Sequence, residues 1–277
     1  MRSTSLHRST SSRRSGNRAD FRYSHSAWST AGVTGAVVLL GVVTGCGPVA
    51  GASLPAPTTN TVIGVLPALK FTVLKDFGLM SYGDALAHAR LLAVKGRAPK
   101  TGYKRSHYGK SWDDNNSAPM GHNGCRTRED ILRRDLVNVT VRPDTNGCVV
   151  ESGTLLDPYT GDIVQFQRGQ GTSSLVQIDH VVALADSWVK GAQYWPFEKR
   201  LSFANDPRNL LAVSGWVNSS KGAGDTATWL PPNKAYRCEY VARQVEVKRL
   251  YGLWVTEAEQ AAMIRVLQKC PIPNPTH

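Results

Sequence analysis

An acid and an imidazole stand side by side at the end of an apolar, β-branched run, in the segment QIDHVVALADSW (177–188). A carboxylate can bind a hard divalent cation, and a histidine with an ordinary pKa of about 6.5 can accept a proton from water near neutral pH. Neighbouring residues of a strand point to opposite faces, so Asp179 and His180 can share a site only where the strand ends or bends. The same alternation predicts that Ile178 and Val181 belong to the core.

Two asparagines follow in the next predicted elements. Asn209 opens the apolar strand predicted at 209–214, and Asn218 lies at a predicted loop-to-helix junction. Lys221 is a candidate phosphate contact, because a helix N-terminus beside it would also favour anions, or else it is a solvated lysine. Asp225 is interpreted as a surface charge, with a third acid near the metal as the alternative.

The elements that must position these residues belong to an α+β fold. The turn DPYTG (157–161) predicts a hairpin between short strands on either side. A capping box formed by Thr256 and Glu259 opens a C-terminal helix, and Thr127 with Asp130 forms a variant of it at an earlier helix. The remaining predicted elements are helices in 81–94, 183–195 and 197–206 and a strand in 173–184.

Four cysteines beyond residue 46 lack metal-binding spacing, which predicts two disulfides in an oxidising compartment. Three connectivities are possible. The sequential pairs Cys125–Cys148 and Cys238–Cys270 are favoured, because each closes a local segment.

The N-terminus resembles an export signal. A basic region leads into the short apolar run AGVTGAVVLLGVV (31–43), followed by VTGC, which resembles a lipobox with Cys46 as the acylated residue. Cleavage after AGA (50–52) and an uncleaved anchor are the alternatives. The predicted organisation is a lipoprotein-type signal peptide at 1–45, a Pro-bearing tether at 46–75 and a folded domain at 76–277.

The chain carries 33 Lys and Arg against 21 Asp and Glu, a formal net charge of +12. Six of these cations and one of the acids lie in 1–45, so the rest of the chain is still about +7. This excess suits a polyanionic partner such as nucleic acid or an anionic envelope surface, with ordinary solubility charge as the alternative.

The order strand, strand, helix, with Asp-His, Asn and Asn at these places, resembles the HNH endonuclease motif of the ββα-metal superfamily. The segments GCRTREDILRRDL, DPYTG, IDHVVALADSW, FANDPRNLLAV and WLPPN resemble the secreted bacterial branch of HNH endonuclease family proteins. The resemblance covers most of the chain from about 96 to 270. It implies a ββα-metal core at about 174–230, embedded in a larger disulfide-bonded α+β domain.

The resemblance also implies an exported endonuclease that hydrolyses phosphodiester bonds of DNA, with RNA as a further possible substrate. His180 would be the general base, Asp179 and Asn218 would hold one Mg²⁺ or Mn²⁺ ion, and Asn209 would orient the imidazole and brace the two strands. Asn218 stands where the family name has its final histidine, which favours magnesium or manganese over zinc.

Further residues could bind substrate. Arg105 and Arg128 are candidate phosphate contacts, and the nearby aromatics Tyr103, Tyr108 and Trp112 are interpreted as core, with a substrate groove as the alternative. Arg126 stands where the family pattern GCDTR has an acid. The competing hypothesis is a catalytically silent, lipid-anchored envelope protein that binds nucleic acid or another polyanion. The sequence does not determine the oligomeric state, and a monomer is expected by default.

Overall fold

The structure of the chain is a computed structural model that describes residues 80–271. The predicted signal peptide and tether, and Cys46 with its proposed acyl group, lie outside these residues.

Helices and short antiparallel strands alternate along the described residues, as an α+β fold requires. In chain order the elements are α1 (Tyr82–Leu91), α2 (Thr127–Asp135), β1 (Leu136–Val141), β2 (Val150–Leu156), β3 (Ile163–Gln167), β4 (Val176–His180), α3 (Leu184–Val189), α4 (Phe197–Asn205), β5 (Leu210–Ser214), α5 (Gly215–Lys221), α6 (Arg237–Tyr251) and α7 (Glu257–Leu267). The fold class predicted from the sequence is confirmed.

The first sheet is the antiparallel meander β1-β2-β3. Its β2–β3 connection is the predicted hairpin turn, in which the Asp157 carboxylate accepts the backbone N–H of Tyr159 at 3.0 Å and the hydroxyl of Thr160 at 2.9 Å. Gly161 closes the turn at φ +86°, which a residue with a Cβ adopts with strain.

The second sheet pairs β4 with β5, antiparallel, and α5 follows directly. This is the predicted ββα unit. Strand β4 ends at His180, which meets the condition for Asp179 and His180 to face one site. The unit rests on α2 and the first sheet through the apolar cluster of Ile131, Leu132, Leu155, Phe166, Val176 and Leu210.

Helices α1, α6 and α7 pack together behind the ββα unit. Helix α7 begins as predicted, because the side chain of Thr256 accepts the N–H of Glu259. Val181, as predicted, is fully buried in this core, and Ile178 is buried in the neighbouring one.

Both predicted disulfides are present. Cys125 bonds to Cys148 and Cys238 to Cys270, with Cα–Cα distances of 5.3 and 5.7 Å. The first lies directly before α2 and so fixes the start of the helix that carries Arg128. Among residues 80–271 every helix is too short or too polar to cross a membrane.

Candidate active site at the end of β4

The end of β4 is held by Asn209, a fully buried residue just before β5. Its backbone carbonyl accepts the N–H of Val181 at 2.8 Å, and its Oδ1 accepts the N–H of Val182 at 2.8 Å. Its Nδ2 donates back to the carbonyl of Val182 at 3.3 Å. Asn209 therefore braces the two strands, as expected. The prediction that it orients the imidazole of His180 is wrong, because its side-chain amide bonds to the backbone of Val182 instead.

The imidazole of His180 is positioned by two other residues. Its Nε2 lies 2.9 Å from the carbonyl oxygen of Ala204, and a carbonyl can only accept, so Nε2 carries the proton and Nδ1 the lone pair. The indole of Trp112 stacks on the ring, with centroids 5.7 Å apart and an interplanar angle of 13°. This arrangement leaves Nδ1 as the atom that can act as a base.

The environment of His180 changes its proton affinity. Burial, with a smaller contribution from the positive charge of Arg105, lowers the pKa of His180 from 6.5 to about 3. The expectation of an ordinary pKa is therefore wrong. The imidazole is neutral at neutral pH, as a base must be, but in the free protein it is a weaker base than an exposed histidine.

Asp179 faces inward from the same strand end. Its Oδ2 accepts the hydroxyl of Tyr159 at 2.6 Å, and its Oδ1 accepts the ammonium of Lys221 at 2.9 Å. Burial raises the pKa of Asp179, while Lys221 and Tyr159 act in the opposite direction. A carboxylate offers about four lone-pair directions, so these two bonds leave positions for a cation.

The sequence suggested that Lys221 contacts phosphate beside a helix N-terminus, but the structure places it elsewhere. It is the last residue of α5, is 3% exposed, and its ammonium donates to Asp179 and to the carbonyl of His180 at 2.8 Å. The prediction fails because α5 begins already at Gly215, so that Asn218 and Lys221 lie within the helix. Lys221 instead ties α5 to the end of β4.

Asn218 reaches the same place from α5. Its Nδ2 donates to Oε1 of Gln177 at 2.8 Å, which fixes the orientation of the amide and leaves Oδ1 as an acceptor on its other side. Gln177 precedes Asp179 by two residues on β4. Strand and helix therefore present one carboxylate and one oriented amide to a common space.

That space is a cavity of about 430 Å³. Its polar lining includes Arg105 and Arg128, with Asp179 as the one carboxylate among the described residues that line it. The guanidinium of Arg128 is fixed by the carbonyls of Ser173 and Val176, at 3.3 and 3.0 Å. Two arginines against one carboxylate suit an anionic group such as a phosphodiester. Both arginines line this cavity, and their contact with a substrate stays a prediction.

The donor set limits which metal the cavity could hold. Within residues 80–271 there is no group of three or more His, Cys, Asp or Glu side chains that could bind a metal. Of the described residues that line the cavity, His180 alone offers a nitrogen of the kind that zinc binds and none offers a thiolate, whereas a zinc site takes three or four protein ligands. One carboxylate and one amide oxygen fit a hard cation that keeps several water molecules, as Mg²⁺ does.

The aromatic residues divide between core and cavity. Tyr108 is 2% exposed and belongs to the core, as interpreted, whereas Tyr103 and Trp112 are half-buried and line the cavity. The contribution of Tyr159 to the site could not be found from the sequence, because only the fold of the hairpin turn brings its hydroxyl to Asp179. Arg126, in the acidic position of the family pattern, donates to the carbonyl of Ser111 at 3.2 Å.

A buried ionic cluster supports two walls of the cavity. The ammonium of Lys190 lies 2.8 Å from Asp225 and 2.7 Å from Glu259, and it also pairs with Asp186 on α3. Lys248 pairs with Asp186 and Glu259 as well, at 3.2 and 2.9 Å. Asp225 is 1% exposed, so its interpretation as a surface charge is wrong. The cluster fixes α3 and the loop after α5, both of which line the cavity.

The chain is related in sequence to known proteins. Residues 126–266, just over half of the chain, match the family described as GmrSD restriction endonucleases, C-terminal domain. The chain is also similar to a protein of Arthroderma benhamiae named "Uncharacterized secreted protein", 37% identical over 181 residues that cover 65% of this chain and 81% of the relative. No solved structure matches the chain. Because this relative is fungal, assignment to a bacterial branch stays a prediction.

Proposed function

Since the chain belongs to the family of GmrSD restriction endonucleases, C-terminal domain, and so to the nucleases, we propose that it is an exported, metal-dependent endonuclease of the HNH type. Its proposed substrate is DNA, with RNA as the alternative. The observation that carries the proposal is the convergence of Asp179, His180 and Asn218 on one cavity that also contains Arg105 and Arg128.

The proposed hydrolysis assigns each side chain one task. Arg105 and Arg128 hold the phosphodiester by charge-assisted hydrogen bonds. His180 takes a proton through Nδ1 from the attacking water, and its Nε2–H, bonded to Ala204, keeps the ring in the required tautomer.

The metal would be held by the oxygens of Asp179 and Asn218. When bound, Mg²⁺ or Mn²⁺ supplies positive charge for the phosphate and the leaving oxygen. Lys221 favours the ionised form of the Asp179 carboxylate and holds it in place, which replaces its predicted role at the phosphate. A phosphodiester beside Arg105 would offset the repulsion between that guanidinium and an imidazolium, and so raise the pKa of His180 toward the range useful for catalysis.

Export rests on two observations. Disulfides form and persist in oxidising compartments, and this chain has two. The fungal relative carries the word secreted in its name. We further expect the exported protein to be anchored through an acylated Cys46, with release as a soluble protein as the alternative.

Replacing Asn218 by alanine should weaken the metal site without disturbing the fold, because the side chain is partly exposed and bonds only to Gln177 among the described residues. We expect the Mn²⁺ concentration for half-maximal cleavage of plasmid DNA to rise about 10- to 100-fold, the range that altered metal surroundings typically cause. EDTA should abolish cleavage by the unaltered protein.

Ser219→Ala, on the exposed side of the same helix, is the matched control and should behave as the unaltered protein. If a folded wild-type protein binds DNA in a salt-dependent manner but cuts it with neither Mg²⁺ nor Mn²⁺, the catalytically silent, polyanion-binding alternative is the correct one.

The charge of Arg105 should be visible in the pH dependence of cleavage. Because burial and Arg105 lower the pKa of His180, the acidic limb of kcat/KM should lie below pH 6.5. Arg105→Gln removes the charge that lowers this pKa most after burial, so the acidic limb should move to higher pH while kcat/KM falls. An acidic limb at the same pH in both proteins would show that Arg105 does not act on the base.

A further inference from the structure

The segment before the cavity carries an uninterrupted run of positive charge. Between Leu91 and Trp112 the chain has six cations and no acid. One of them, Arg97, pairs with the buried Asp225 at 2.7 Å and serves as an anchor. The other five, all exposed, are Lys95, Lys100, Lys104, Arg105 and Lys110.

Residues 95–105, here called the cationic ribbon, are fixed to the domain surface by their backbone. The N–H of Lys95 donates to Val255 at 3.0 Å, and the N–H of Ala98 donates to Val189 at 2.8 Å. The indole N–H of Trp254 donates to the carbonyl of Gly96 at 3.0 Å. These attachments hold the first residues of the ribbon, Lys95 among them, in a defined path on the domain surface.

The ribbon runs between the cavity and Trp254. One end is at the cavity, since Tyr103 and Arg105 both line it. The other end is at Trp254, whose indole donates to Gly96. Eleven residues span at most about 35 Å, which is the upper limit of the path along which the ribbon could meet a substrate.

An exposed aromatic stack marks the far end. Tyr194 is 70% exposed and stacks on Trp254, with ring centroids 6.4 Å apart at 29°, and the ammonium of Lys95 lies 5.3 Å from the centroid of Trp254. Gly191 permits the close approach of the indole, because a Cβ there would lie 3.1 Å from the ring. The outer face of Tyr194 is thus supported from behind and open to solvent.

We propose that the cationic ribbon and the Tyr194–Trp254 stack form a binding track for single-stranded polynucleotide that leads into the cavity. This proposal rests on the proposed function and specifies that the substrate is single-stranded. Backbone phosphates meet the lysines, and an unpaired base stacks on the open face of Tyr194. A duplex would offer the lysines its phosphates but keep its bases from the aromatic ring.

The test is binding of a fluorescein-labelled single strand of about 30 nucleotides to the inactive His180→Ala protein, measured by anisotropy over a series of salt concentrations. Tyr194→Ala should weaken binding about 5-fold or more, and Tyr194→Phe should restore it, because stacking needs the ring and not the hydroxyl. Lys95→Ala with Lys100→Ala should reduce the slope of log K against log salt by about 1.4, or about 0.7 for each phosphate that is no longer neutralised.

Lys269→Ala, at an exposed site beside the second disulfide, is the control for general loss of charge and should leave the slope nearly unchanged. Polyphosphate has no bases, so it should bind the Tyr194→Ala and unaltered proteins with equal affinity when it displaces the labelled strand from each. An unchanged affinity of Tyr194→Ala for the single strand would overturn the track.

Turnover separates this proposal from the catalytic one. In otherwise active protein, the Tyr194→Ala substitution should raise KM for long single strands with little change in kcat, and leave hydrolysis of bis(p-nitrophenyl) phosphate, which reaches only the cavity, unaltered. If the protein cuts neither substrate but the binding differences persist, the track stands and the endonuclease proposal fails. If cleavage occurs with equal KM in both proteins, the track fails alone.

Discussion

His180→Ala should lose DNA cleavage almost completely, with kcat reduced about 10²- to 10⁴-fold. The reason is that the imidazole has no replacement: Nδ1 of His180 is the proposed proton acceptor, and no other histidine lines the cavity among residues 80–271. The measurement is the rate of plasmid cleavage in Mn²⁺, with circular dichroism and the unfolding midpoint recorded to show that the variant is folded.

The matched control is His88→Ala, because His88 lies partly exposed on α1 and does not line the cavity. It should cut DNA at the rate of the unaltered protein. A folded His180→Ala protein that retained more than about a tenth of the activity would remove His180 from the role of general base.

Lys190→Met should cause the largest loss of stability. The substitution leaves the Asp186, Asp225 and Glu259 side chains without the ammonium they share. Breaking a buried ion pair by removing one partner costs about 3–5 kcal/mol, and urea unfolding should show a loss of free energy of this size. The walls formed by α3 and the loop after α5 should loosen with it, so activity should fall together with stability.

A double variant distinguishes the cluster from a simple packing effect. Lys190→Met combined with Glu259→Gln removes one charge of each sign, so it should be more stable than Lys190→Met alone, and the two effects should not add. Lys234→Met, at an exposed position, should change stability by less than about 0.5 kcal/mol. Strict additivity of the two cluster substitutions would contradict the account of a coupled network.

The parts of the fold that sequence reasoning identified are those set by local chemistry. The turn at 157–161 is determined by its own Asp, Pro and Gly, and Thr256 caps α7 through a bond to a residue three positions along the chain. Thr127 has a similar local pattern and fails as a cap. Its hydroxyl donates instead to Asn205, 78 residues away, at 3.1 Å, a tertiary partner that overrides the local preference.

The candidate site shows the same division. Asp179, His180 and Asn218 were identified through the resemblance to the HNH motif, and the structure brings them to one cavity. The burial of Lys221 and Asp225 could not be found, because a lysine or aspartate in a polar loop is expected to be solvated unless its distant counter-charge is known. Lys221 forms an ion pair with Asp179, 42 residues earlier, and Asp225 forms one with Lys190, 35 residues earlier.

Asp179 and Asn218 are proposed to hold one divalent ion beside His180, and crystals of the protein grown with Mn²⁺ and measured at the manganese edge would show it. We expect one anomalous peak in the cavity, about 2.1 Å from an oxygen of Asp179 and from Oδ1 of Asn218, with the remaining ligands water or phosphate. A peak outside the cavity, or a cavity without manganese in a crystal that binds it elsewhere, would rule out this metal site.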